Sequence, residues 1–213
     1  MTIIVIDLEW NQPLRGRTHL RGLHGEIIQI GAAKINMECE ILDTFSIIIK
    51  PECYKKINKD VAELTLLTDE DLQGGVPFAE AVESFKNWCG DDFVFLEWSN
   101  ADIDMLMNNL EYFDMDNSWL PKCYDAQLMF DDMEMQENRQ WPLNYALFHF
   151  EEKPYGAHDA LADVVSTCLI LKHLDLEDGL SDDYFRCDYI YDDEPEDGAD
   201  GESDAESGGG DEG

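Results

Sequence analysis

Positive charge is what this sequence has least of. Its 213 residues carry 14 lysines and arginines against 48 aspartates and glutamates, a formal charge of -34 at pH 7. Non-specific affinity for nucleic acid comes from basic residues that neutralise phosphates, so a diffuse electrostatic hold on a polyanion is excluded. Long apolar runs are also missing, which excludes a membrane-spanning helix, and Met1 leads straight into a short apolar strand with no charged leader. A soluble, cytoplasmic chain is expected. The six cysteines, Cys39, Cys53, Cys89, Cys123, Cys168 and Cys187, show no C-x-x-C spacing and read as reduced thiols, not zinc ligands. Neither G-x-G-x-x-G nor a phosphate-loop lysine motif occurs, so a nucleotide-cofactor fold has no support.

What the chain does have is 44% apolar residues and no obvious repeat, enough for one packed domain, expected over residues 1–180, and a tail over 181–213. Eleven acids fall between Asp192 and Glu212 among glycine, serine and alanine, with no basic residue, a composition that predicts disorder. About a third of the excess charge therefore lies outside the domain. The remaining body is still negative, and divalent cations are the means by which such a surface accepts a phosphodiester.

The β-branched run Thr2–Ile6 predicts a strand buried on both faces and stopping at Asp7. Glu26–Ile35 and Ile41–Ile49 predict a hairpin-linked pair beside it. From Asp60 the pattern turns helical, first in short turns and then along Phe78, Ala81, Val82, Phe85 and Trp88. Asp92–Trp98 predicts a fourth strand, followed by a helix on Ile103, Leu106, Met107 and Leu110, a strand near Cys123, and short helices around 126–130 and 143–150. A last helix is expected over 159–174 with Leu161, Val165, Cys168, Leu169 and Leu171 on its buried side. This order indicates an α/β fold, a mixed sheet covered by helices.

Three segments carry residues suited to chemistry. In Asp7-Leu8-Glu9, two carboxylates on one face of a strand suit a hard divalent ion, although acid-x-acid at a strand end is commonly a solvated edge. His158-Asp159-Ala160-Leu161-Ala162-Asp163 opens the final helix, where acids equally serve the helix N-terminus or face solvent. Trp98 to Asp104 lies where a strand ends and a helix begins, and Asn100 or Asp102 there equally serves as a helix cap.

Together and in this order, the three segments resemble the DEDDh family of 3′-5′ exonucleases, with their ribonuclease H-like fold. The resemblance spans about residues 2–174 and includes Glu26-Ile27-Ile28-Gln29-Ile30-Gly31-Ala32, the Leu66-Leu67-Thr68 turn and Phe78-x-Glu80-Ala81-Val82. Tryptophans near the first two motifs make it look closest to the histone-mRNA and RNA-interference exonuclease branch. The resemblance implies that Asp7, Glu9, Asp102 and Asp163 position two divalent ions, Mg2+ or Mn2+, with His158 as general base. Asp102 is preferred to Asp104 because Ile103 and Leu106 then fall where the family's helix buries its apolar side. The implied reaction releases nucleoside 5′-monophosphates from the 3′ ends of single-stranded RNA or DNA, with no membrane involved.

Two further features bear on a substrate. Between Asn11 and Gly25 the chain carries Arg15, Arg17, His19, Arg21 and His24 with no acid, either a grip for phosphates or an exposed solubilising loop. Trp10 and Trp98 offer base-stacking surfaces or core packing. The alternatives to a strand-degrading enzyme are an oligoribonuclease-like activity on short fragments and a catalytically silent interaction module of the same fold.

Overall fold

In the computed structural model, residues 1–135, 139–156 and 159–186 are described. A six-stranded mixed sheet forms the centre. Its strands are β1 (Thr2–Asn11), β2 (Glu26–Ile35), β3 (Ile41–Ile48), β4 (Phe93–Glu97), β5 (Cys123–Asp125) and β6 (Phe185–Arg186), in the order β3-β2-β1-β4-β5-β6. The first three strands are adjacent and pair antiparallel, the second and third as the expected hairpin, and β4 and β5 add parallel to β1 and to each other. Antiparallel β6 closes the edge, so the fold runs past the expected boundary at residue 180; the remainder of the expected tail, 187–213, lies outside the described residues.

The helices are α1 (Lys59–Thr65), α2 (Asp69–Gly74), α3 (Phe78–Cys89), α4 (Asp102–Tyr112), α5 (Ala126–Met133), α6 (Leu143–His149), α7 (Ala160–Leu171) and α8 (Leu176–Gly179). They cover both faces of the sheet, and β1 shows how. Its even positions Ile4, Ile6 and Leu8 pack with Phe85 of α3 and Leu106 of α4. Its odd positions Ile3 and Val5 pack with Met129 of α5 and with Val164 and Cys168 of α7. A strand paired on both edges and covered on both faces favours unbroken β-branched residues, which is what Thr2–Ile6 supplies.

Two expectations need correction. The first strand does not stop at Asp7: it continues to Asn11, with a bulge between Glu9 and Trp10, because β2 pairs with it along its whole length. The last helix is shorter than expected, and Leu161, Val165 and Leu169 are only half-buried, while Ala160, Val164, Thr167, Cys168 and Leu171 face the core. With so many apolar residues in α7, periodicity alone does not single out one face. The five cysteines among the described residues are free thiols. None of the described helices is long and apolar enough to cross a membrane.

Candidate active site

Asp7 and Glu9 continue the odd face of β1, the side covered by α7. In the β1–β2 register Asp7 lies opposite Gly31 and Glu9 opposite Gln29, and directly opposed residues share one face of a sheet. What Gly31 and Gln29 carry therefore decides what approaches the two acids. At Gly31 a methyl group would collide with the backbone of Ala160 and Leu161, so only glycine lets the start of α7 rest on the strand. Beside it the Gln29 Nε2 donates to Asp159 Oδ2 at 2.7 Å, and the Gln29 Oε1 accepts from the Ala160 N–H at 3.4 Å. Asp159 also caps the helix, its Oδ1 accepting from the Ala162 N–H at 3.1 Å. One turn on, Asp163 is thereby turned toward β1. Carboxylate oxygens of Asp7, Glu9 and Asp163 lie within 4.8 Å of one another.

A fourth acid stands against this trio. Asp102, at the start of α4, is buried, and its Oδ1 accepts from the backbone N–H of Leu8 at 2.9 Å, between the two acids of β1. Asp104, two residues on, is half-buried, and it is Asp102 whose charge reaches Asp7 and Glu9. Beneath Asp102, Glu97 ends β4 fully buried, its Oε2 accepting from the backbone N–H groups of Asp102 and Ile103, both at 3.0 Å.

So many carboxylates in one place resist ionisation. Burial and then the charges of Asp102, Glu9, Asp163 and Glu97 hold Asp7 well above the ordinary aspartate range. Glu9 is pushed up to about 7 by burial, then by Asp163, Asp102 and Asp159. Asp102 is raised to about 7, chiefly by burial, with the Leu8 N–H working in the opposite direction. Burial and Asp102 also raise Glu97 well above its usual range. A site of this kind is relieved either by protons or by a cation, and three hard oxygen donors with no thiol or imidazole among them suit Mg2+ or Mn2+ better than softer metals.

The profile of the RNase_T exonuclease family matches residues 4–171, which takes in Asp7, Glu9, Asp102 and Asp163. The chain belongs to that exonuclease family. The sequence motifs pointed to an exonuclease family, and an exonuclease family is what matches. Among curated relatives it is 30% identical over 111 residues to the DNA polymerase III PolC-type of Bacillus subtilis and 28% identical over 137 residues to that of Streptococcus pyogenes. Those matches take up 52% and 64% of this chain and only 7% and 8% of the polymerases. Among solved structures, the nuclease domain of 3'hExo, a DEDDh family member bound to rAMP, superposes with a TM-score of 0.72 at 19% identity, covering 84% of this chain and 92% of that one. E. coli Exonuclease I in complex with a dT13 oligonucleotide gives 0.65 at 16% identity, covering 81% of this chain and 40% of that one. The ribonuclease H-like fold anticipated for the exonuclease is thus present.

Of the other expected site residues, His158 lies outside the described residues. Trp10 is half-buried against the core on the α3 and α4 side. Trp98 spends its indole N–H on the Trp141 carbonyl at 3.1 Å. Arg15 is held by Asp60, its Nε and Nη2 donating at 3.1 and 2.8 Å, while Arg17 and Arg21 are exposed. Sequence reasoning gave no role to Gln29, Gly31 or Glu97. The first two already stood out as family-like, and their position opposite Asp7 and Glu9 supplies the missing reason. Glu97 carried no signal, since a glutamate ending an apolar strand ordinarily marks the return to solvent.

Proposed function

We propose that this exonuclease degrades single-stranded RNA or DNA from the 3′ end, releasing nucleoside 5′-monophosphates. The observation that carries the reading is the meeting of Asp7, Glu9 and Asp163 within 4.8 Å, with Asp102 against them. These four carboxylates are the proposed holders of two divalent ions. Magnesium or manganese, when bound, supplies a water of lowered pKa and neutralises charge on the leaving 3′-oxygen. The chain's own residues do the rest. β1 fixes the two central donors, Gln29 and Gly31 seat the helix that brings Asp163, and the Leu8 N–H aims Asp102. His158, five residues before Asp163, is the proposed acceptor of the proton from the attacking water, a task suited to a side chain that titrates near neutrality. The structures of 3'hExo with rAMP and of Exonuclease I with an oligodeoxynucleotide support a strand terminus as substrate and leave both sugars open.

The test is degradation of 5′-labelled single-stranded RNA and DNA with magnesium or manganese. A ladder shortening from the 3′ end is expected, abolished by chelator, by Asp7→Ala and by His158→Ala. If the wild-type chain leaves every oligonucleotide intact with either metal, the reading as a catalytically silent interaction module takes over.

A further inference from the structure

Seven of the 14 lysines and arginines fall in two short stretches: Arg15, Arg17 and Arg21 after β1, and Lys50, Lys55, Lys56 and Lys59 after β3. In a chain of this acidity such a concentration calls for a reason. The fold brings the two stretches together. Asn11, fully buried two residues past Glu9, donates through Nδ2 to the carbonyls of Tyr54 and Lys56 at 2.8 and 3.0 Å. Its Oδ1 accepts from the Asn58 N–H at 2.8 Å, and Asn58 Nδ2 donates to the Pro13 carbonyl at 2.7 Å. The Tyr54 hydroxyl accepts from the Leu20 N–H at 2.9 Å. Glu26, buried at the head of β2, accepts the backbone N–H groups of Glu52, Cys53 and Tyr54 and so holds the second stretch from behind.

Between the two stretches opens a cleft of about 640 Å³ whose lining includes Leu14, Arg17, Leu20, Tyr54, Lys55 and Lys56. Lys55 also borders an adjoining cleft of about 520 Å³ that takes in Lys50. The charges are not equivalent. Arg15 is paired with Asp60 at 2.8 Å and Lys59 with Glu63 at 3.2 Å, whereas Arg17, Lys55 and Lys56 make no ion pair among the described residues. The near end of the cleft is tied to Asn11, about 7 Å along the strand from Glu9 at the rise of an extended chain.

We infer that this cleft carries the nucleic-acid strand upstream of the terminal nucleotide, with backbone phosphates on Arg17, Lys55 and Lys56 and bases against Leu14, Leu20 and Tyr54. The inference rests on the exonuclease reading of the neighbouring carboxylates. Cations beside apolar and aromatic surface in one cleft match a single strand, which presents both phosphates and base faces. An acidic peptide would satisfy the cations and leave the apolar wall unused. Local concentration of charge also reconciles a negative body with a polyanionic substrate: the acids meet it only where cations intervene, and the cleft meets it with bare lysines.

Lys55→Ser/Lys56→Ser in the full chain, compared with wild type, tests this. Binding of a 5′-fluorescein dodecanucleotide is followed by anisotropy with chelator present, so that no metal bridges the phosphates. The variant is expected to bind about tenfold more weakly at low salt, and the slope of log Kd against log salt to fall by about 1.4, roughly 0.7 for each phosphate no longer neutralised. In turnover, the ratio of KM for the dodecanucleotide to KM for a dinucleotide should rise about tenfold. Unchanged Kd and salt slope, or equal shifts in the two KM values, overturn the cleft and leave the exonuclease reading standing. Wild type that hydrolyses neither substrate overturns the exonuclease reading, and the anisotropy still decides whether the cleft binds a strand. Displacement of the strand by a polyglutamate peptide of equal charge at equal concentration overturns the assignment to nucleic acid.

Discussion

The acids of the site should destabilise the metal-free protein at neutral pH, and Glu9→Gln measures by how much. Glu9 rises from its ordinary 4.5 to about 7 in the fold. The folded state therefore binds more protons than the unfolded chain between those values, and stability falls as pH rises through that window. Below about pH 4.5 the carboxyl is protonated in both states and contributes nothing to this difference; above about pH 7 the whole penalty is present. At roughly 1.4 kcal/mol per pH unit the penalty is about 3 kcal/mol. Glutamine keeps the shape and removes the charge. With chelator present, Glu9→Gln should unfold about 6–12 °C above wild type at pH 8, since roughly 2–4 °C accompanies each kcal/mol in a domain of this size. At pH 4 the two should coincide. Magnesium or manganese at pH 8 should raise wild type and raise the variant less, because the metal binds the ionised, folded site. Thermal unfolding followed by circular dichroism across pH 4–8 is the assay. A constant gap between the two curves over that range refutes the argument, since only a titrating group makes the gap open with pH.

Gly31→Ala should lower stability by about 3 kcal/mol in urea unfolding and remove activity with it, because the methyl pushes the Ala160–Leu161 backbone, and Asp163 behind it, away from β1. Glu97→Ala leaves two buried N–H groups at the head of α4 without an acceptor and should cost about 1–3 kcal/mol with a fall in kcat, whereas Glu97→Gln retains an acceptor oxygen and should recover most of both. Asp102→Asn should abolish hydrolysis of a labelled oligonucleotide and Asp104→Asn should not; the opposite result would exchange their roles.

The strands were legible because their residues answer to one requirement at a time. Glu26–Ile35 is buried along nearly its whole length and reads as a mostly apolar run, interrupted by Gln29 and Lys34, and Asn36 turns the chain by accepting the N–H groups of Glu38 and Glu40. Asp7, Glu9 and Asp163 were legible as a set, through family resemblance, and ambiguous singly. Asp159 shows the difference: the local reading of it as a helix acid holds, since it caps α7, while the same reading of Asp163 as a solvated position fails. What separates them is a contact with β2, more than a hundred residues earlier, which no local window contains. The cleft was half legible. The arginines after β1 stood out, but the lysines facing them become neighbours only through Asn11 and Asn58, and the pairing of Arg15 with Asp60 removes one expected cation from service.

Placing two donors on alternate residues of the strand that joins the antiparallel and parallel halves of the sheet gives the site an all-or-none character. Every residue of β1 belongs to one side of the sheet or the other, so inserting or deleting one residue before Asp7 would transfer both acids to the side of α3 and α4 and bring Ile6 and Leu8 before α7. No gradual path leads between those arrangements. Loops, surface charge and helix lengths can drift widely around such a strand while the geometry of the acids stays put, and the overlap with exonucleases sharing fewer than one residue in five is the outcome this rule allows.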